Sequence, residues 1–179
     1  MRVIAGKHKG RTLKGVSGRD IRPTADNVRE SIFNILATRI EGARVLDIFG
    51  GTGAMGIEAL SRGADTVVFV DKAKSSCDII RANLELVKES AEVQNCDAMR
   101  ALERLSGQFD MVFIDPPYAE SGEQCIEKIG ERKLLACNGV IVYERNAKDS
   151  VSEEIGELKV ADSRRYGSVA LYFYKWKSV

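Results

Sequence analysis

The sequence predicts an α/β fold, a mostly parallel sheet covered by helices on both faces, and three observations predict it. From residue 43 onward, short β-branched runs such as TVVFV and MVFI alternate with segments of helical periodicity. That is the pattern of strands buried on both sides and joined by crossover helices. The first of these strands runs into a glycine-rich turn, DIFGGTGAMG, that opens a helix, the place where an open sheet presents backbone N–H groups to a ligand. The C-terminal stretch LKVADSRRYGSVALYFYKW then changes to alternating side-chain types around a Tyr-Gly-Ser break, which reads as an antiparallel pair on the sheet edge. The expected architecture is Rossmann-like, with seven strands, an antiparallel C-terminal edge hairpin and a small N-terminal β-hairpin.

In chain order, RVIAG and RTLKGV flank Lys7-His8-Lys9-Gly10, a glycine-bearing basic turn that predicts the hairpin. Residues 1–20 are expected to form this extension and residues 21–179 the main domain. PTADNVRESIFNIL places Val28, Ile32, Ile35 and Leu36 on one helix face, with Thr24 or Asp26 as its cap. Strands are expected over 44–47, 66–71, 92–96, 109–114 and 140–144, with the edge pair turning near Tyr166-Gly167. Between them, Ile57 and Leu60 before Gly63, then Ile79, Ile80, Asn83, Leu84 and Val87, then Cys125, Ile126, Ile129 and Leu134 mark helices.

A chain of 179 residues that is 44% hydrophobic and 30% charged can bury one substantial core. Its longest apolar runs are too short to span a bilayer, and MRVIAGKHKG lacks the apolar stretch of a signal peptide. A cytoplasmic monomer that engages no membrane is the expectation, since no apolar helix stripe is left over. Cys77, Cys96, Cys125 and Cys137 form no Cys-x-x-Cys pair and His8 is the single histidine, so reduced, mostly buried thiols and no metal site are expected. The net charge is +1, yet residues 1–30 carry a surplus of five positive charges. That asymmetry points to a polyanionic partner, against the plainer reading of a solvated basic terminus.

Gly51, Gly53 and Gly56 satisfy G-x-G-x-x-G, which alone is a weak sign of a dinucleotide site. Asp71 ends the second strand, where an acid accepts hydrogen bonds from ribose hydroxyls, or caps the helix from Lys72 onward. Asp97 follows the third strand and can accept from an adenine amine, cap the helix at Ala98, or both. Asp115-Pro116-Pro117-Tyr118 follows the fourth strand and spends two of the chain's three prolines on one corner. Proline fixes φ and restricts its predecessor, so the corner is rigid and presents a carboxylate and a backbone carbonyl as two fixed acceptors. These match the two hydrogens of a planar NH₂ group, and the tyrosine ring can stack on a base. Acceptors of this kind favour the tetrahedral nitrogen that develops when an exocyclic amine attacks a methyl group.

The chain resembles the class I S-adenosylmethionine-dependent methyltransferases that act on amines through an (Asp/Asn)-Pro-Pro-(Tyr/Phe) motif. More narrowly, MRVIAGKHKGRTL, RPTADNVRESIFNIL, DIFGGTGAMGIEALSRGA, FIDPPY and RRYGSVALYFY resemble the bacterial 16S rRNA guanine-N2 methyltransferases of the small-subunit methyltransferase D type, over nearly the whole chain. The resemblance implies that S-adenosylmethionine binds, leaving as S-adenosylhomocysteine, with Asp47, Phe49, Gly50, Gly51 and Gly53 around its methionine part. It implies Asp71 and Lys72 at the ribose, Asp97 and Ala98 at the adenine, and Arg22, Pro23 and Thr24 closing over the methionine end or the substrate entrance. Asp115, Pro116 and Tyr118 would hold the target guanine. Lys7, His8, Lys9, Arg11, Arg22 and Pro117 would meet 16S rRNA, in naked form or within small-subunit particles. Gly50 stands where alanine is frequent in that group. The readings left open are N6-adenine or N4-cytosine methylation of DNA or another RNA, a dinucleotide-dependent oxidoreductase, and a basic RNA-binding protein without catalysis.

Overall fold

The computed structural model describes residues 1–15, 23–117 and 120–178, with only the backbone of residues 23–25. Among the described residues the chain runs α1 (Pro23–Ile35), a 3-10 turn (Ala37–Arg39), β1 (Arg44–Ile48), α2 (Ala54–Ser61), β2 (Thr66–Asp71), α3 (Lys74–Val87) and β3 (Glu92–Asn95). It continues through α4 (Ala98–Arg104), β4 (Phe109–Ile114), α5 (Glu123–Glu131), β5 (Leu135–Asn146), β6 (Glu154–Ile155), β7 (Leu158–Tyr166) and β8 (Val169–Trp176). One eight-stranded sheet has the order β3-β2-β1-β4-β5-β8-β7-β6. β1 to β5 are parallel, and β8, β7 and β6 add antiparallel to that edge. The order reverses between β1 and β4, so a crevice opens outside the carboxyl ends of those two strands, the usual ligand position of a doubly wound sheet.

The apolar residues divide by strand parity. Val45, Phe69, Met111, Phe113, Val140 and Val142 face a layer with Ile32 and Phe33 of α1, Ile57 of α2 and Ile80 of α3. Leu46, Val68, Val112, Ile114, Ile141 and Tyr143 face Leu102 of α4 and Ile126 of α5. Burial on both faces explains why these strands read as continuous apolar runs. α2 lies close against the sheet because Gly56 lacks a side chain, and a Cβ there would stand 2.3 Å from the Phe69 ring. No helix among the described residues is long and apolar enough to cross a membrane.

Several local expectations are corrected. The sheet has an eighth strand, the two-residue β6, too short to show a period of two. β5 is far longer than its apolar centre, because β4 and β8 supply ladder partners on both sides. α1 begins at Pro23, a favoured first helical position, so Asp26 lies inside the first turn and pairs with Arg29 at 3.2 Å. Thr24 is inside the helix as well, and its side chain is outside the described residues. The N-terminal hairpin is reduced to one antiparallel bridge, Arg2 to Thr12. Val3, Gly10 and Leu13 N–H groups still bond across it, to the Arg11, Val3 and Met1 carbonyls, while Ile4 and Ala5 N–H groups donate to the buried Glu58 carboxylate at 2.8 and 3.0 Å, and Lys7 N–H to the Ser61 carbonyl at 2.8 Å. Two of the four thiols are buried, Cys77 and Cys125, whereas Cys96 is half-buried and Cys137 exposed.

Candidate active site

The carboxyl ends of β2, β1, β4 and β5 each carry an acid: Asp71, Asp47, Asp115 and Glu144. After β1 the chain turns sharply, with Phe49 in the left-handed region at φ 64°. An aromatic residue held there is strained, which marks the turn as over-determined by its surroundings. Gly50 N–H donates to the Val70 carbonyl (3.1 Å) and Gly53 N–H to the Gly50 carbonyl (2.7 Å). Gly53, at φ 78°, precedes α2 with no side chain to cap it. The missing cap comes from the strand end, where Asp47 Oδ2 accepts the Gly56 N–H at 3.0 Å, satisfying one of the free donors of the helix. Burial pushes the Asp47 carboxyl up to about 8; the Gly56 bond opposes this, and the charges of Asp115 and Asp71 add to it.

Asp71 is fixed through both oxygens, Oδ2 accepting from Gly51 N–H (2.9 Å) and Oδ1 from Ala73 N–H (2.8 Å). It is not the cap of α3, whose preceding residue is Ala73. Asp97 caps α4 through Oδ1, which accepts from Met99 and Arg100 N–H at 2.9 and 3.4 Å and leaves Oδ2 available. Phe49, Asp71, Lys72, Asp97 and Ala98 line one small pocket with Val70 and Cys96. Five residues singled out from the sequence thus meet there; Val70 and Cys96 are additions. Lys72 itself is exposed and ion-paired with Glu120, whose backbone carbonyl accepts from Arg145 at 2.7 Å. A larger groove of about 500 Å³, along Asp149–Val151, Lys159 and Tyr172, shares no residue with this crevice.

β4 lies beside β1 with Asp47 opposite Phe113, which puts Asp115, Pro116 and Pro117 at the crevice. Asp115 and Pro117 are exposed and Pro116 is buried. The Pro117 carbonyl accepts from Glu120 N–H at 2.8 Å, whereas no donor reaches the Pro116 carbonyl among the described residues. Tyr118 and Arg22 lie outside the described residues. Glu144 was not singled out by the sequence reading, although its position directly after the apolar run VIVY, like that of Asp47 after RVL, was a usable signal.

The Lys14 end of the basic segment borders the glycine turn. The fully buried Asn83 takes the Lys14 N–H at 2.7 Å and donates to the Thr52 carbonyl at 2.9 Å. Lys7 and His8, however, both bind Glu89 Oε1 at 2.6 Å. Although partial burial acts to raise the Glu89 carboxyl, these two partners hold it below its usual range. Lys9 and Arg11 are exposed and form no ion pair among the described residues.

Comparison with known proteins bears on this site. A family model described as Conserved hypothetical protein 95 matches residues 1–175. Ribosomal RNA small subunit methyltransferase D of Escherichia coli (strain K12) is 32% identical over 177 residues, 98% of this chain and 89% of that protein. The protein of the same name from Haemophilus influenzae is 38% identical over 150 residues, 80% of this chain and 78% of its own length. The solved structure of yhhF from Escherichia coli superposes with a TM-score of 0.90 at 29% identity, covering 100% of this chain and 99% of that one. The chain belongs to the conserved hypothetical protein 95 family and to that of ribosomal RNA small subunit methyltransferase D.

Proposed function

We propose that the protein transfers a methyl group from S-adenosylmethionine to the exocyclic N2 amine of a guanine in 16S rRNA. The observation that carries this is the juxtaposition of the rigid Asp115-Pro116 corner with the glycine turn across the β1/β4 crevice. The acids along the crevice fit this cofactor: Asp71 offers both oxygens to ribose hydroxyls, Asp97 Oδ2 is available to an adenine amine, and Phe49 and Ala98 flank a flat ring. Asp115 makes the crevice negative, and a bound sulfonium or ammonium group would favour ionisation of Asp47 as well. The Asp47 carboxyl also opposes a dinucleotide, because a pyrophosphate would need the N-terminus of α2, where that carboxyl already sits.

When bound, S-adenosylmethionine supplies a methyl group to the amine nitrogen and leaves as neutral S-adenosylhomocysteine. Asp115 and the Pro116 carbonyl hold the two N–H bonds of the amine and favour a tetrahedral nitrogen, whose lone pair is withdrawn from conjugation with the ring. Both bonds strengthen as positive charge develops on nitrogen, so the acceptors act in the transition state more than in the ground state. Asp115 takes the surplus proton as the product forms. The base must leave its stack to bring its amine to Asp115 at the carboxyl ends of the strands, and Lys9 and Arg11, on the turn that docks at the C-terminal end of α2, hold phosphates farther along the RNA without reading sequence.

The test is nucleoside analysis by mass spectrometry after incubation with S-adenosylmethionine and either naked 16S rRNA or small-subunit particles. N2-methylguanosine is the expected product. N6-methyladenosine or N4-methylcytidine would assign the same chemistry to another base.

A further inference from the structure

Glu144 is a titratable group that the mechanism above leaves unused. β5 runs parallel to β4 with Ile114 opposite Tyr143, so Asp115 and Glu144 occupy the next step of that register. By parity both follow Phe113 and Val142 onto the α1 face of the sheet. They stand side by side at the crevice, one strand spacing apart, about 4.8 Å. Glu144 is half-buried, and its electrostatic neighbour is Asp115, with no hydrogen-bonding group acting on it among the described residues. Among the described residues, the adjacent cations are committed elsewhere. Arg145 binds the Glu120 carbonyl at 2.7 Å and Asp149 at 2.8 Å. Arg164, across β8 in the same row, pairs with Asp162 at 3.0 Å.

Resting on the guanine-N2 reading, we propose that Glu144 selects the base, contacting O6 of the guanine whose N2 amine lies against Asp115. On the Watson–Crick edge of guanine, the N2 donor and the O6 acceptor flank N1 on opposite sides. Their separation matches one strand spacing, so a base with its amine on Asp115 brings O6 to Glu144. An acid must be protonated to donate to a carbonyl oxygen. Burial and the neighbouring Asp115 charge push the Glu144 carboxyl up to about 8, so it holds its proton at neutral pH, as a carboxylic acid in an apolar setting can. Adenine, entering with its amine on Asp115, has only a C–H across that edge and would leave the Glu144 proton unpaired. Discrimination against adenine follows from that loss.

The experiment compares single-turnover methylation of a methylatable RNA carrying guanine or 2-aminopurine at the target position. 2-Aminopurine keeps the C2 amine and lacks O6. Wild type should prefer guanine. Glu144→Ala should slow the guanine substrate roughly 10- to 100-fold, the effect of one lost buried hydrogen bond, and bring its rate close to that of 2-aminopurine. Glu144→Gln, whose amide also donates, should keep the preference. A Glu144→Ala variant that slows both substrates equally, or neither, overturns the proposal. Calorimetry with S-adenosylmethionine reports whether each variant is folded. Should the alanine variant not fold, loss of the preference in Glu144→Gln overturns the proposal and its retention with normal cofactor binding supports it. Absence of N2-methylguanosine from the wild-type guanine reaction overturns the base assignment itself, before any variant is compared.

Discussion

The two halves of the crevice are built by different means. On the β1–β2–β3 side, each acid is held by backbone N–H groups within a turn or a helix start: Asp47 by Gly56, Asp71 by Gly51 and Ala73, and Asp97 by Met99 and Arg100. On the β4–β5 side, placement comes from two prolines and from sheet register, and the acids there crowd one another. The first half is a prepared mould whose acceptors are oriented before any ligand arrives. The second is electrostatically tense, which suits a place where charge changes during the reaction. On the proposed function, binding and chemistry are separated across a single strand pair, and mutations on the two sides should have different signatures.

The largest effect should come from the chemical side. Asp115→Ala should lower single-turnover methylation on the order of a hundredfold or more, with calorimetric S-adenosylmethionine affinity and thermal stability close to wild type. Turnover near the wild-type level would reduce Asp115 to a structural role and erase the contrast. On the binding side, Asp71→Ala should weaken cofactor affinity by about 1–3 kcal/mol, because ribose hydroxyls lose their acceptor and the Gly51 and Ala73 N–H groups lose theirs. Its rate with saturating cofactor should change far less than that of Asp115→Ala.

A smaller effect concerns the basic rim. Lys9 and Arg11 are exposed while Lys7 is paired with Glu89, so Lys9→Ala and Arg11→Ala should each flatten the salt dependence of RNA binding by about 0.7, the value per phosphate contact on single strands. Lys7→Ala should change that slope less than either. Equal effects at all three positions would mean that the Glu89 pair opens on binding.

The smallest effect is on pH. The Asp47 carboxyl is raised to about 8 in the folded protein, above its unfolded value. Between the ordinary carboxylate range and that pH the folded state therefore holds the extra proton, and stability of the free protein falls as pH rises through this window. A cationic cofactor favours the ionised crevice, so its affinity should increase over the same window with release of a proton. Calorimetry in buffers of different ionisation enthalpy checks this, and Asp47→Asn should diminish the effect.

Much of the binding half was legible because its signals are local. A glycine turn after an apolar strand, and an aspartate two residues before free helical N–H groups, announce themselves within ten residues of chain. The proline corner was legible for the same reason, since its stiffness is intrinsic to Asp115-Pro116-Pro117. Glu144 stood at a readable strand end, but its pairing with Asp115 was not legible, because the two are distant in sequence and meet only through parallel register. The charge surplus of residues 1–30 pointed to a polyanion from composition alone, and only folding brought Glu89, just past α3, to pair with Lys7 and His8. β6 and the reduced N-terminal hairpin depended likewise on which donors found nearer partners.

By itself the amino-acid sequence determined the alternation of strands and helices, the glycine turn and the rigid carboxylate corner, because periodicity, backbone freedom and proline geometry are properties of short segments. Tertiary structure decided which acids share a crevice, which cations are already spent, and that two carboxyls stand one strand apart. Those are consequences of strand order and register, which bring together charges far apart in the chain and, by burying them, set their protonation.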